Sequence, residues 1–143
     1  MESTLRNPAV VAVNAIPKPV ALAYWTCTAL FCLQMSFTAY YELMILPQAA
    51  EAFTRLGFPA GFFRVELSWA KVVGVPALLL PTVPARLKEW AYAGFAINLV
   101  SALIAHTSIG DRPAAFVPSS ITSVLWGFSY YLWRRIQTTP TSA

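Results

Sequence analysis

The chain has 143 residues, 57% of them hydrophobic and only 11% charged, with a formal net charge of +4 and a mean hydropathy of +0.57. Soluble domains carry about 25% charged residues, so a water-facing surface cannot be built from this chain. A soluble enzyme, a nucleic-acid-binding domain and a disordered tail are excluded, which leaves an integral membrane protein of the all-α class.

A bilayer core is crossed by about twenty apolar residues of helix. After an N-terminal tail at 1–19, a first span is expected over 20–46, interrupted by Gln34 and Glu42. Its apolar run is too long for a cleaved signal peptide and no small-residue cleavage site follows, so it is expected to be retained. The stretch 47–61 reads PQAAEAFTRLGFPAG. Glu51 and Arg55 stand at i,i+4 there, with Phe53, Leu56 and Phe58 apolar, which predicts a short interfacial helix ending at Gly57 and lying over one mouth of the fold. A second span is expected over 62–80, carrying Arg64, Glu66 and Lys71. Pro81 and Pro84 break the chain before a third span at 87–109, and Gly110, Asp111 and Arg112 turn it into a fourth at 113–133. The membrane domain then covers 20–135, with a C-terminal tail at 136–143. Short connections imply antiparallel neighbours, hence a four-helix bundle.

Arg6, Lys18, Arg86, Lys88, Arg134 and Arg135 flank one side of these spans; Arg55 and Arg112 flank the other, with Arg64 at its boundary. The positive-inside rule places both termini in the cytoplasm, in a plasma or inner membrane by default. Tyr24, Trp25, Trp90, Tyr92, Tyr131 and Trp133 are expected as an aromatic belt at the inner interface.

Each span has one small or polar stripe, expected to face the bundle interior. These are Gln34, Thr38, Tyr41 and Glu42 in the first, and Glu66, Ala70, Gly74 and Ala77 in the second. The third offers Gly94, Asn98, Ser101 and Ala105; the fourth offers Ser120, Ser123, Gly127 and Tyr130. Acids and bases then converge on the outer half, beneath the interfacial segment. Lys71 is the deepest, about nine residues or roughly 13 Å into its span. An uncompensated charge there costs about 2.5–3.5 kcal/mol, so a partner such as Glu42, or a bound anionic or polar ligand, is expected to offset it.

The single histidine excludes a bis-histidine haem or a multi-histidine metal site within one subunit. Cys27 and Cys32 are five residues apart, about 140° around a helix, and read as apolar fillers rather than a redox pair or a metal half-site. No phosphate loop, nucleophile elbow or dinucleotide fingerprint is present.

Three pieces of sequence carry a resemblance: LGFP at 56–59, Lys71 with Gly74, and RLKEWAYAGF at 86–95. With the apolar spans around them, over about residues 22–135, they resemble the DoxX-like family of small membrane proteins. Asn98 stands where an aspartate is common in that family. The resemblance implies a four-helix membrane bundle. It also implies an association with membrane redox complexes, since the family takes its name from a membrane subunit of a thiosulfate:quinone oxidoreductase.

Two functions follow as expectations. In the first, the protein binds or transforms a lipophilic small molecule, quinone-like or isoprenoid-like, by isomerisation, epoxide opening or redox chemistry. Glu66 would act as acid or base, and Lys71 and Arg64 would stabilise developing negative charge. Glu42, Asn98, His106 and Tyr41 would bind and orient the substrate. In the second, the protein is a non-catalytic subunit that anchors or assembles a redox complex; a membrane redox complex or a homo-oligomer is the expected protein partner. No metal is expected, no cofactor is specified, and the partners are the bilayer and the lipophilic molecule.

Overall fold

A computed structural model describes residues 16–138 except 45 and 60. Arg6, used above for orientation, lies outside the described residues. These form five α-helices and no strand: α1 (Lys18–Met44), α2 (Leu46–Arg55), α3 (Phe62–Leu79), α4 (Ala85–Ser108) and α5 (Pro113–Gln137). The helix ends fall within a few residues of the expected spans. Among them α1 and α4 are long and apolar enough to cross a membrane by length and composition. Helix α3 is shorter and carries Arg64, Glu66 and Lys71 within its 18 residues.

The four long helices close into a ring. Helix α1 packs on α3 and α5, and α4 packs on the same two from the opposite corner, while α2 rests against α1. The ring has an apolar core of Tyr24, Phe31, Met35, Leu78, Tyr92 and Phe95, among others. Its outside is apolar too. Leu33 and Phe37 on α1, Trp69 and Val73 on α3, Trp90 and Ile97 on α4, and Val124 and Phe128 on α5 are all exposed. A water-soluble protein would not leave such a continuous greasy surface.

Two glycines set the ends of helices. Gly57 (φ 81°) and Gly110 (φ 64°) occupy the left-handed region that residues with a Cβ avoid. At each, two backbone bonds close a Schellman turn. Gly57 N–H donates to the Thr54 carbonyl at 3.0 Å and Phe58 N–H to Phe53 at 2.9 Å; Gly110 N–H donates to Thr107 and Asp111 N–H to His106, both at 3.1 Å. The first turn brings the Phe53 and Phe58 rings together, with centroids 6.3 Å apart. The second brings the Asp111 carboxylate onto the His106 imidazole, 2.6 Å from Nδ1.

Three expectations about facing need correction. Half of the expected aromatic belt is interior: Tyr24, Tyr92 and Trp133 are buried, while Trp25, Trp90 and Tyr131 are exposed. Lys88, counted as an interfacial charge, is buried and donates from Nζ to the Leu78 carbonyl at 3.0 Å. On α5 the buried polar positions are Thr122 and Ser129, whereas Ser120 is exposed. Thr122 and Ser129 each lie one residue before the expected Ser123 and Tyr130, about 100° around the helix, and Ser123, Gly127 and Tyr130 are half-buried.

Candidate functional site

The buried stripe of α3 is Arg64, Ser68, Lys71, Gly74 and Leu78, spaced as one face of a helix. This face meets the last turns of α1, where Glu42 is buried. The Lys71 ammonium pairs with Glu42 Oε1. The Ser68 hydroxyl lies 2.9 Å from Glu42 Oε2 and 2.8 Å from the Arg64 carbonyl oxygen, and its single proton serves one of these acceptors at a time. Arg64 donates from Nη1 to the Glu42 backbone carbonyl. Glu42 is therefore the partner that the depth of Lys71 demanded.

Glu66 is a correction. It is exposed on α3, because two residues from Arg64 and five from Lys71 it lies about 140–200° from the buried face. The small residues of its stripe line instead the seam between α3 and α4, where Ala70, Gly74 and Ala77 are found beside Gly94 and Phe95. Close helix approach does occur there: a Cβ added at Gly74 would stand 2.8 Å from Phe95 Cζ.

A cavity of about 350 Å³ opens inside the ring beside the ion pair. Glu42, Gln34 and Thr38 of α1, Lys71 of α3, and Asn98 and Ser101 of α4 supply polar wall atoms. Ser119 and Thr122 of α5 complete the wall, and Phe53, Leu56 and Phe58 close the end beneath α2. Pro118 also lines it; a proline within a helix removes the amide that would bond the carbonyl four residues back. The space is mostly apolar with a few convergent donors and acceptors, the usual character of a small-molecule pocket. Lys71 and Asn98 can donate to a ligand oxygen, and Glu42 can accept a proton.

The other candidates lie elsewhere. Arg64 is buried behind the pair, and neither it nor half-buried Tyr41 lines the cavity. His106 belongs to a separate cluster with Asp111 and Arg55. Arg55 holds Asp111 with two bonds, Nη1 to Oδ1 at 2.8 Å and Nη2 to Oδ2 at 3.2 Å. Arg55 thus reaches the α4–α5 turn rather than Glu51, a correction to the expected i,i+4 pair. A planar guanidinium fork matched to a carboxylate outweighs an exposed pair on one helix. The Asp111 carboxyl is held below the usual carboxylate range, first by the hydrogen bond from His106, then by the bonds and charge of Arg55, against the opposing effect of burial.

A third network was not anticipated. The Ser129 hydroxyl is 2.7 Å from both the Thr28 hydroxyl and the Tyr92 hydroxyl, all buried. Trp126 Nε1 donates to the Tyr92 carbonyl at 3.0 Å. Hydroxyls in three different apolar segments were its trace in the sequence. Among the described residues no group of three or more His, Cys, Asp and Glu could hold a metal ion.

The sequence matches the DoxX-like family over residues 26–128. That range contains every wall residue of the cavity and both polar clusters described at the α2 end. No curated protein and no solved structure matches the chain.

Proposed function

This chain belongs to the DoxX-like family of membrane proteins, and from that premise we propose that it spans the bilayer four times and binds one lipophilic small molecule in the cavity beneath α2. The exposed apolar residues on all four long helices support four spans. Lys18, Arg86, Arg134 and Arg135 gather at the end away from α2, which supports a cytoplasmic location for both termini.

The observation that carries the binding reading is the Lys71–Glu42 pair on the wall of an otherwise apolar cavity. Ionisable groups at such depth are costly and are kept where they meet a ligand or each other. Lys71 and Asn98 would hold a carbonyl, quinone or epoxide oxygen of a quinone-like or isoprenoid-like molecule. Glu42 would take or return a proton, in place of the outward-facing Glu66. Low dielectric around the pair strengthens both roles. Isomerisation and epoxide opening use these elements alone; quinone reduction would use them only with two electrons from a separate reductant.

One observation favours a second reading. Glu42 and Lys71 neutralise each other and Ser68 takes up a further carboxylate valence, so the cluster also serves as a brace between α1 and α3. In that case the protein is a non-catalytic subunit of a membrane complex. Native mass spectrometry of gently purified protein, beside the Lys71→Met variant, separates the two. A stoichiometric small molecule lost in the variant supports the ligand site. A bound second polypeptide, with no small molecule and no effect of the variant, establishes the accessory role.

A further inference from the structure

The cavity does not stand alone. A groove of about 320 Å³ runs along the seam of α3 and α4, and four of its wall residues, Leu67, Lys71, Gly94 and Asn98, are also walls of the cavity. Beyond them the groove is apolar and faces the outside of the ring, ending between Ala77, Leu87 and Trp90. Trp90 is 75% exposed, so in a bilayer the far end of this groove is open to lipid. At the shared seam Gly94 supplies no side chain, and a Cβ built there meets nothing within 4 Å. The polar atoms of the shared wall are Lys71 and Asn98. The end of the cavity nearest α2 is instead lined by Phe53, Leu56 and Phe58, and α2 is tied to the α4–α5 turn by Arg55 to Asp111.

We infer that the ligand is a single-tailed amphiphile which enters sideways from the bilayer, its oxygen-bearing head seated at Lys71 and Asn98 and its hydrocarbon tail lying in the α3–α4 groove. This rests on the cavity being a ligand site, and adds the shape of the ligand and its route. A cavity near the small end of the range for such pockets, about 300–1,000 Å³, takes a compact ring but not a prenyl or acyl chain. The tail must therefore leave, and the α3–α4 groove continues from the wall that carries Lys71 and Asn98, whereas the α1–α5 groove shares Gln34 and Thr122 with the cavity but neither of those donors. Apolar contact along that groove contributes affinity in proportion to the area buried.

The test compares two probes in lipid nanodiscs: a substituted benzoquinone head alone and the same head bearing a ten-carbon tail. Binding is read by titration against wild type, Gly94→Leu and Ala77→Leu. Folding of each variant is checked by circular dichroism. Because partition of each probe into the lipid is common to all proteins, the ratio of the two dissociation constants isolates the groove. In wild type the tail should tighten binding at least tenfold. Either leucine should remove most of that advantage, and Ala77→Leu, which lies outside the cavity, should leave binding of the head unchanged. A tail advantage retained in both folded variants overturns the groove while leaving the cavity reading intact. Failure of wild type to bind either probe, with Lys71→Met indistinguishable from it, overturns the cavity reading and this inference with it.

Discussion

Lys71 on α3 and Glu42 on α1 form a buried ion pair that bridges the middle of one helix and the last turn of another. Both ends have further support, Ser68 on the carboxylate and Arg64 on the Glu42 backbone carbonyl. The pair joins two helices of the ring and lines the cavity with the same atoms.

Removing one partner leaves the other charged and buried. Lys71→Met or Glu42→Gln is expected to lower stability by about 3–5 kcal/mol, read as thermal unfolding in detergent. The double variant should recover much of the loss, because two neutral groups leave no uncompensated charge. Additive losses in the double variant would show that the two side chains are not coupled.

Gly74 and Gly94 make opposite predictions from neighbouring positions on the seam. A methyl at Gly74 would collide with the Phe95 ring, itself buried edge-on to Phe31 with centroids 5.0 Å apart. Gly74→Ala should therefore cost about 1–3 kcal/mol as overpacking, with partial rescue by Phe95→Leu. Gly94→Ala meets open space and should be neutral or stabilising by up to about 1 kcal/mol from helix propensity. Melting temperatures of the two variants, side by side, decide the matter.

The latch at the α2 end responds to acid in one direction. The folded pKa of Asp111 is depressed, by His106 foremost and then Arg55, so its contribution is complete above the unfolded value of about 3.9 and is lost as pH falls through the folded value. The melting temperature of wild type is expected to exceed that of Asp111→Asn between about pH 5 and 7. The two curves should converge in stronger acid. A gap that stays constant with pH would mean that the carboxylate's charge has no part in holding α2.

Ser129 joins hydroxyls from α1 and α4. Ser129→Ala leaves Thr28 and Tyr92 short of a partner and should cost about 1–3 kcal/mol. Replacing all three as Thr28→Val, Ser129→Ala and Tyr92→Phe should cost less than the sum of the single changes, since none of the three is then left without the other two. A triple-mutant cycle on unfolding free energies measures the difference.

The number, type and approximate ends of the helices were legible in the sequence, because apolar runs, Pro81 and Pro84, and the glycines at 57 and 110 act locally. The pairing of Lys71 was legible in part: depth in an apolar span demands a partner, and few acids are present to supply one. The inward faces were not. Small residues such as Ala70 and Gly74 suit both a bundle interior and a helix–helix seam. Only the packing of α3 against α1 and α4 decided that Lys71 and Ser68 turn inward, leaving Glu66 outside. The same holds for Arg55, whose choice of Asp111 over Glu51 depends on where a turn 56 residues further along the chain comes to rest. Local chemistry determined that this chain makes apolar helices with buried charge; the rotation of each helix about its own axis, a property of all its neighbours together, decided which of those charges line a cavity.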